Sequence, residues 1–188
     1  MTRTRWIALL LAAAAAGGFA FAQATGSTPA PKTAPASFKE TSWDDLVPND
    51  WDPLKQFRDT NFGVLSDSDP RAMDMLERMR ETWDSAPTND ALENQAIRIA
   101  GYVVPLDESK AGMLEFLLVP YLGACTHTPP PPANQIVHVK LPTPKKDLHL
   151  MDAVWVNGHL KTFRSDTAMG VSGYRLEAAG VEPYVAKK

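Results

Sequence analysis

From Ala96 onward the apolar residues of this 188-residue chain recur at every second position, the period of a β-strand. Ile97, Ile99, Gly101 and Val103 share one side of such a strand, with Arg98, Tyr102 and Val104 on the other. Met113 to Val119 is a continuous apolar run stopped by Pro120, and Gln135 to Leu141 is another, closed by Pro142-Thr143-Pro144. Met151 to Val156 reads as a fourth strand. Asn157-Gly158 predicts a two-residue hairpin turn into His159–Phe163, and Tyr174–Ala178 predicts a last strand. Five or so short strands in about 80 residues, with one helix before them, define the expected fold. It is mainly β within the α+β class: a small OB-like, partly open antiparallel barrel.

The helix is placed by Asp69-Pro70, an N-cap followed by proline at the first helical position. Ala72, Met75, Leu76, Met79 and Trp83 then fall on one helical face, expected to pack into the core, and Pro87 ends the segment. Upstream lies an irregular arm, Trp43-Asp44-Asp45-Leu46-Val47-Pro48-Asn49-Asp50-Trp51, whose two tryptophans and Leu46 read as anchors onto the main body. Residues 23–38 are rich in Ala, Thr, Pro, Ser and Gly and read as a flexible linker, because little in them could offset the entropy of ordering. Residues 1–22 read as a signal peptide: Arg3 and Arg5, an apolar stretch from Trp6 to Ala20, and the small-x-small pattern Ala20-Phe21-Ala22 with cleavage before Gln23. An uncleaved signal anchor is the alternative. The expected organisation is thus a leader, a linker and one globular domain over 39–188, with arm and helix at 39–90 and barrel at 91–180. The expected location is the periplasm, with no membrane span after cleavage.

Composition narrows the function. A net charge of −3 argues against a nucleic-acid binder that relies on a basic footprint. The single cysteine allows neither an internal disulfide nor an all-cysteine zinc site. That cysteine stands in the one stretch unlike ordinary core sequence, Gly123-Ala124-Cys125-Thr126-His127-Thr128-Pro129-Pro130-Pro131-Pro132-Ala133-Asn134-Gln135. Gly123 permits a tight turn, and the four prolines stiffen the exit as a polyproline II segment. Cys125 and His127 are both good ligands for zinc or copper, and in an extended i, i+2 arrangement they face one ion. Two ligands are half a tetrahedral site. His138 is the third candidate, placed on a strand, while His149 and His159 read as solvated. Three fates of Cys125 stay open at this stage: metal ligand, small buried hydrophobe, or reactive thiol. Pro129, Pro130, Pro131 and Pro132 read as a rigid spacer or a docking surface, and Asn134 and Gln135 as loop-closing hydrogen-bond formers. No orienting acid or oxyanion signature accompanies the Cys–His pair, and no enzyme is expected.

On these residues the chain resembles a family of bacterial envelope proteins, the domain of unknown function numbered 3299. The resemblance rests on Gly101-Tyr102-Val103-Val104-Pro105-Leu106, on Phe116-Leu117-Leu118-Val119-Pro120-Tyr121, on Cys125-x-His127-x-Pro129-Pro130-Pro131-Pro132-x-Asn134-Gln135, and on Trp43-x-x-Leu46-x-Pro48-x-x-Trp51. Members look like small exported or lipid-anchored proteins, some encoded beside zinc-uptake ABC transporters. The resemblance implies a periplasmic accessory of metal import, with zinc as cofactor or cargo and ABC transporter components as partners. This chain departs from the lipid-anchored members in lacking a lipobox cysteine. A metal-free interaction module using the proline loop, or a single-cysteine thiol protein, are the competing expectations.

Overall fold

The structure is a computed structural model that describes residues 37–53, 55, 69–106, 110–122 and 131–185. Cys125, His127, Pro129 and Pro130 lie outside the described residues, as do the leader 1–22 and nearly all of the linker. The described elements belong to one unit of the chain, Pro35–Lys188.

Six strands form one sheet: β1 (Lys39–Glu40), β2 (Ala96–Pro105), β3 (Met113–Val119), β4 (Val137–Lys145), β5 (Ala153–Thr167) and β6 (Gly170–Pro183). The order is β1-β2-β3-β4-β6-β5, and β5 pairs back onto β2, so β2 to β6 make a ring. All ring pairings are antiparallel except β4 with β6. This is the expected OB-like barrel. It is only partly closed, because β3 meets β2 over Tyr102–Pro105 alone, and parallel β1 pairs with β2 at Ile97 and Arg98.

Period two explains the core. Along β2 the residues alternate half-buried and buried as far as Val103, which puts Ile97, Ile99 and Val103 inside. They meet Phe116, Leu118, Val137, Val139, Leu160, Tyr174 and Leu176 from the other strands. A second buried cluster, Val104, Leu117, Val119 and Ile136, is carried by the intervening positions of β2 and β3 and the start of β4. Burying an aliphatic side chain contributes roughly 1.5–3 kcal/mol, so both clusters weigh heavily in stability. Two of the expected anchors dock the arm: Leu46 is fully buried at the end of a 3-10 turn, Asp44–Leu46, and Trp43 Nε1 donates to the Ala100 carbonyl at 2.7 Å, while Trp51 is half-buried at the edge of a cleft.

Four local expectations are corrected. Asn157-Gly158 is not a hairpin turn. β5 runs straight through it with a register shift, because neither residue takes the positive φ that such a turn needs, and ladders to β2 and β6 hold both edges. The chain reverses instead at Ala168-Met169, where Thr167 Oγ1 donates to the Gly170 carbonyl at 2.7 Å and Gly170 takes φ 141°. β4 does not end at Pro142. Pro142 and Pro144 fall in the irregular stretch between Lys140 and Lys145, beyond the last pairing with β6, where a missing amide costs no ladder bond. β6 extends well past Tyr174–Ala178 in both directions, since β5 pairs with it over nearly its whole length.

The last correction concerns α1 (Pro70–Asp84). Its start is as expected, with Asp69 Oδ1 accepting the Arg71 amide at 2.9 Å. Its apolar face is not core: no residue of α1 is buried, and Leu76 is 60% exposed. The helix ends at Asp84, whose carbonyl accepts from Arg164 on β5, and the hydrogen bonds described tie it to the barrel at that end. No helix among the described residues is long and apolar enough to cross a membrane.

Candidate functional site

The Cys125–His127 loop joins β3 to β4, and its two described ends are held differently. At the entry, Tyr121 and Leu122 are largely exposed. At the exit the chain is built into the barrel. Pro131, Ala133 and Asn134 are buried, and the 3-10 turn Ala133–Gln135 is closed by Gln135 N–H donating to the Pro132 carbonyl at 2.7 Å. Asn134 Nδ2 donates to the Pro87 carbonyl at 3.0 Å, tying the exit to the segment after α1. Gly173 of β6 lies directly beneath, where a Cβ would come within 2.9 Å of the Ala133 carbonyl oxygen. Pro132 and Gln135 also share a cleft with Val47, Pro48, Asn49, Trp51 and Pro53 of the arm. The Asn134 amide thus bonds the segment after α1 rather than the loop itself, and its Oδ1 has no partner among the described residues.

His138 stands four residues after Asn134, in β4, on the side opposite the core-facing Val137 and Val139. It is buried, and both ring nitrogens are engaged: Nε2 lies 3.0 Å from Glu115 Oε2, and Nδ1 lies 3.2 Å from Ser165 Oγ. Glu115 Oε1 also approaches Lys140 Nζ at 3.5 Å. Burial pushes the Glu115 carboxyl up, and the bond from His138 together with Lys140 outweighs it, leaving the carboxyl below its ordinary range. His138 can take on a metal only by giving up one of these two partners. The other two imidazoles among the described residues, His149 and His159, are exposed. His149 pairs with Asp152 at 3.6 Å, and His159 packs edge-on against Phe38.

Among the described residues no group of three or more His, Cys, Asp or Glu side chains is arranged to hold a metal ion. What the fold does bring together is Glu115, His138 and Ser165, from β3, β4 and β5. Glu115 had a signal in the sequence, as the one acid inside the apolar run Met113–Val119. Ser165 had none.

A small, partly open β-barrel whose sequence carries a cysteine–histidine proline loop is the class that fold and sequence define together. The chain belongs to the DUF3299 family, proteins of unknown function, whose sequence model matches residues 43–183. Among solved structures it is similar to a DUF3299 family protein from Pseudomonas aeruginosa PAO1, at 33% identity and a TM-score of 0.62, covering 81% of this chain and 99% of that one. No curated protein matches the chain.

Proposed function

We propose that this protein is an exported, periplasmic metal-binding accessory, that zinc is its ion, and that Cys125 and His127 hold it. The observation that carries the reading is Cys125-x-His127 in a loop whose exit, Pro131–Gln135, is anchored in the barrel. An anchored exit limits how far the thiol and imidazole can wander, and so lowers the entropy lost when both meet one ion. A thiolate and a neutral imidazole suit zinc, and two protein ligands leave positions open for water or for a receiving site. That openness favours transfer over storage, consistent with ABC importer components as partners. Export rests on the leader-like residues 1–22, and the importer on the family resemblance.

Elemental mass spectrometry of the reduced full chain tests the reading. The expected result is about one zinc per chain, lost in Cys125→Ala and in His127→Ala, with binding that weakens as pH falls because both ligands must be deprotonated. Equal metal content in the variants and the parent would refute it.

A further inference from the structure

Glu115, His138 and Ser165 form a hydrogen-bonded chain of carboxylate, imidazole and hydroxyl that the metal reading does not use. Its chemistry follows from the order of the groups. Glu115 is an ionised acceptor, so the ring nitrogen facing it, Nε2, carries the proton. In the neutral ring Nδ1 then keeps its lone pair, which faces the Ser165 hydroxyl. The His138 side chain is only 7% exposed, so water competes little with either bond. Ser165 is half-buried, so the residue is not sealed inside the barrel.

Two neighbours fit a reacting centre. Arg175 stands beside His138 across the β4–β6 ladder, with its guanidinium stacked 3.9 Å over the Phe163 ring. Its Nε is buried without a partner among the described residues, and the guanidinium sets a fixed positive charge beside the imidazole, the sign that favours developing negative charge. Phe163 itself is 45% exposed and offers an apolar wall.

We propose that Ser165 is a nucleophile assisted by His138 and oriented through Glu115, acting on carboxylic esters. Ser165 Oγ attacks the acyl carbon and its proton passes to His138 Nδ1. The bond from carbon to the alkoxide oxygen breaks, and the leaving alkoxide takes that proton. Water then attacks the acyl-serine, gives a proton to His138, and releases the acid as Ser165 recovers it. The ring is used the other way round from the serine proteases, where Nε2 faces the serine. Either imidazole nitrogen is a base in the matching tautomer, so the step is unchanged.

The alternative is a polar latch that only pins the β5–β6 hairpin to the barrel. Incubating the full chain with a fluorophosphonate probe and mapping the adduct by mass spectrometry separates the two. The expected result is a single adduct on Ser165, absent in Ser165→Ala and formed about 100-fold more slowly in His138→Gln. Hydrolysis of p-nitrophenyl acetate should fall in parallel. Mapping on the unaltered chain needs no variant to fold. No adduct, adducts no faster than on urea-unfolded chain, or adducts elsewhere would overturn the proposal and leave a latch.

Discussion

A single phenol joins three parts of the chain. Tyr174 of β6 is fully buried; its hydroxyl donates to the Leu46 carbonyl of the arm at 2.6 Å and accepts the Asn89 amide at 2.5 Å. Tyr174→Phe keeps the ring and strands both backbone groups. A polar group left unpaired in the interior costs roughly 1–3 kcal/mol, so we expect a loss of about 2 kcal/mol in urea unfolding, with an unchanged slope. The same substitution should change the alkaline limb. Burial pushes the phenol up to about 12 from an ordinary 10.0. The unfolded chain then gives up this proton first as pH rises. Tyr174 therefore contributes stability that is complete below pH 10 and lost as pH rises through about 12. Urea midpoints measured across that window should fall less in Tyr174→Phe than in the parent. Parallel curves would assign the alkaline loss to other groups.

At the scale of elements, the strands were legible because period two is a direct consequence of burying one face, and β3 has the bounds its apolar run indicates. The turn at Asn157-Gly158 was misread because a dipeptide reports only what its backbone can do. Whether it turns depends on partners lying on both sides of the strand. Gly158 serves a different need: a Cβ there would overlap the Glu177 carbonyl of β6, so its absence lets two backbones approach at the register shift. Gly180 has nothing within 4 Å of where a Cβ would stand. Gly158→Ala should therefore cost about 2–3 kcal/mol, since backbone cannot move aside as a side chain can, while Gly180→Ala should stay within about 0.5 kcal/mol of the parent. Thermal midpoints of the two variants check this, and similar losses in both would discard the close-approach account. The helix shows the opposite limit, in that its cap was legible while its apolar stripe implied burial in the core, and none of its residues is buried. The site divides the same way. Cys125 and His127 stand out locally, whereas Glu115 and Ser165 lie 23 and 27 residues from His138 and meet it only because the barrel curls.

The unit Pro35–Lys188 is a barrel in which part of an open strand edge is covered by its own arm. β3 does not reach Ile97 and Arg98 of β2, which leaves their edge away from β5 open, and an open strand edge invites pairing with other chains. β1 occupies that edge, Thr41 N–H donates to the Arg98 carbonyl at 2.9 Å, and Leu46 enters the same core cluster as the strands. The arm also lines the cleft at the exit of the cysteine loop, so its attachment bears on the proposed metal site. If arm and barrel are one cooperative unit, a cavity made in the arm must lower the stability of the far side of the ring. Leu46→Ala removes a fully buried side chain, and such changes cost 2–5 kcal/mol; we expect about 3. Hydrogen exchange reads the coupling. In the parent, the amides of Thr41 in the arm and Val103 in the barrel should open with the same free energy, that of global unfolding. In Leu46→Ala both should lose protection equally. Protection lost at Thr41 while Val103 keeps its full value would mean that the arm peels away alone, and the cleft beside Pro132 and Gln135 would then open without unfolding the barrel.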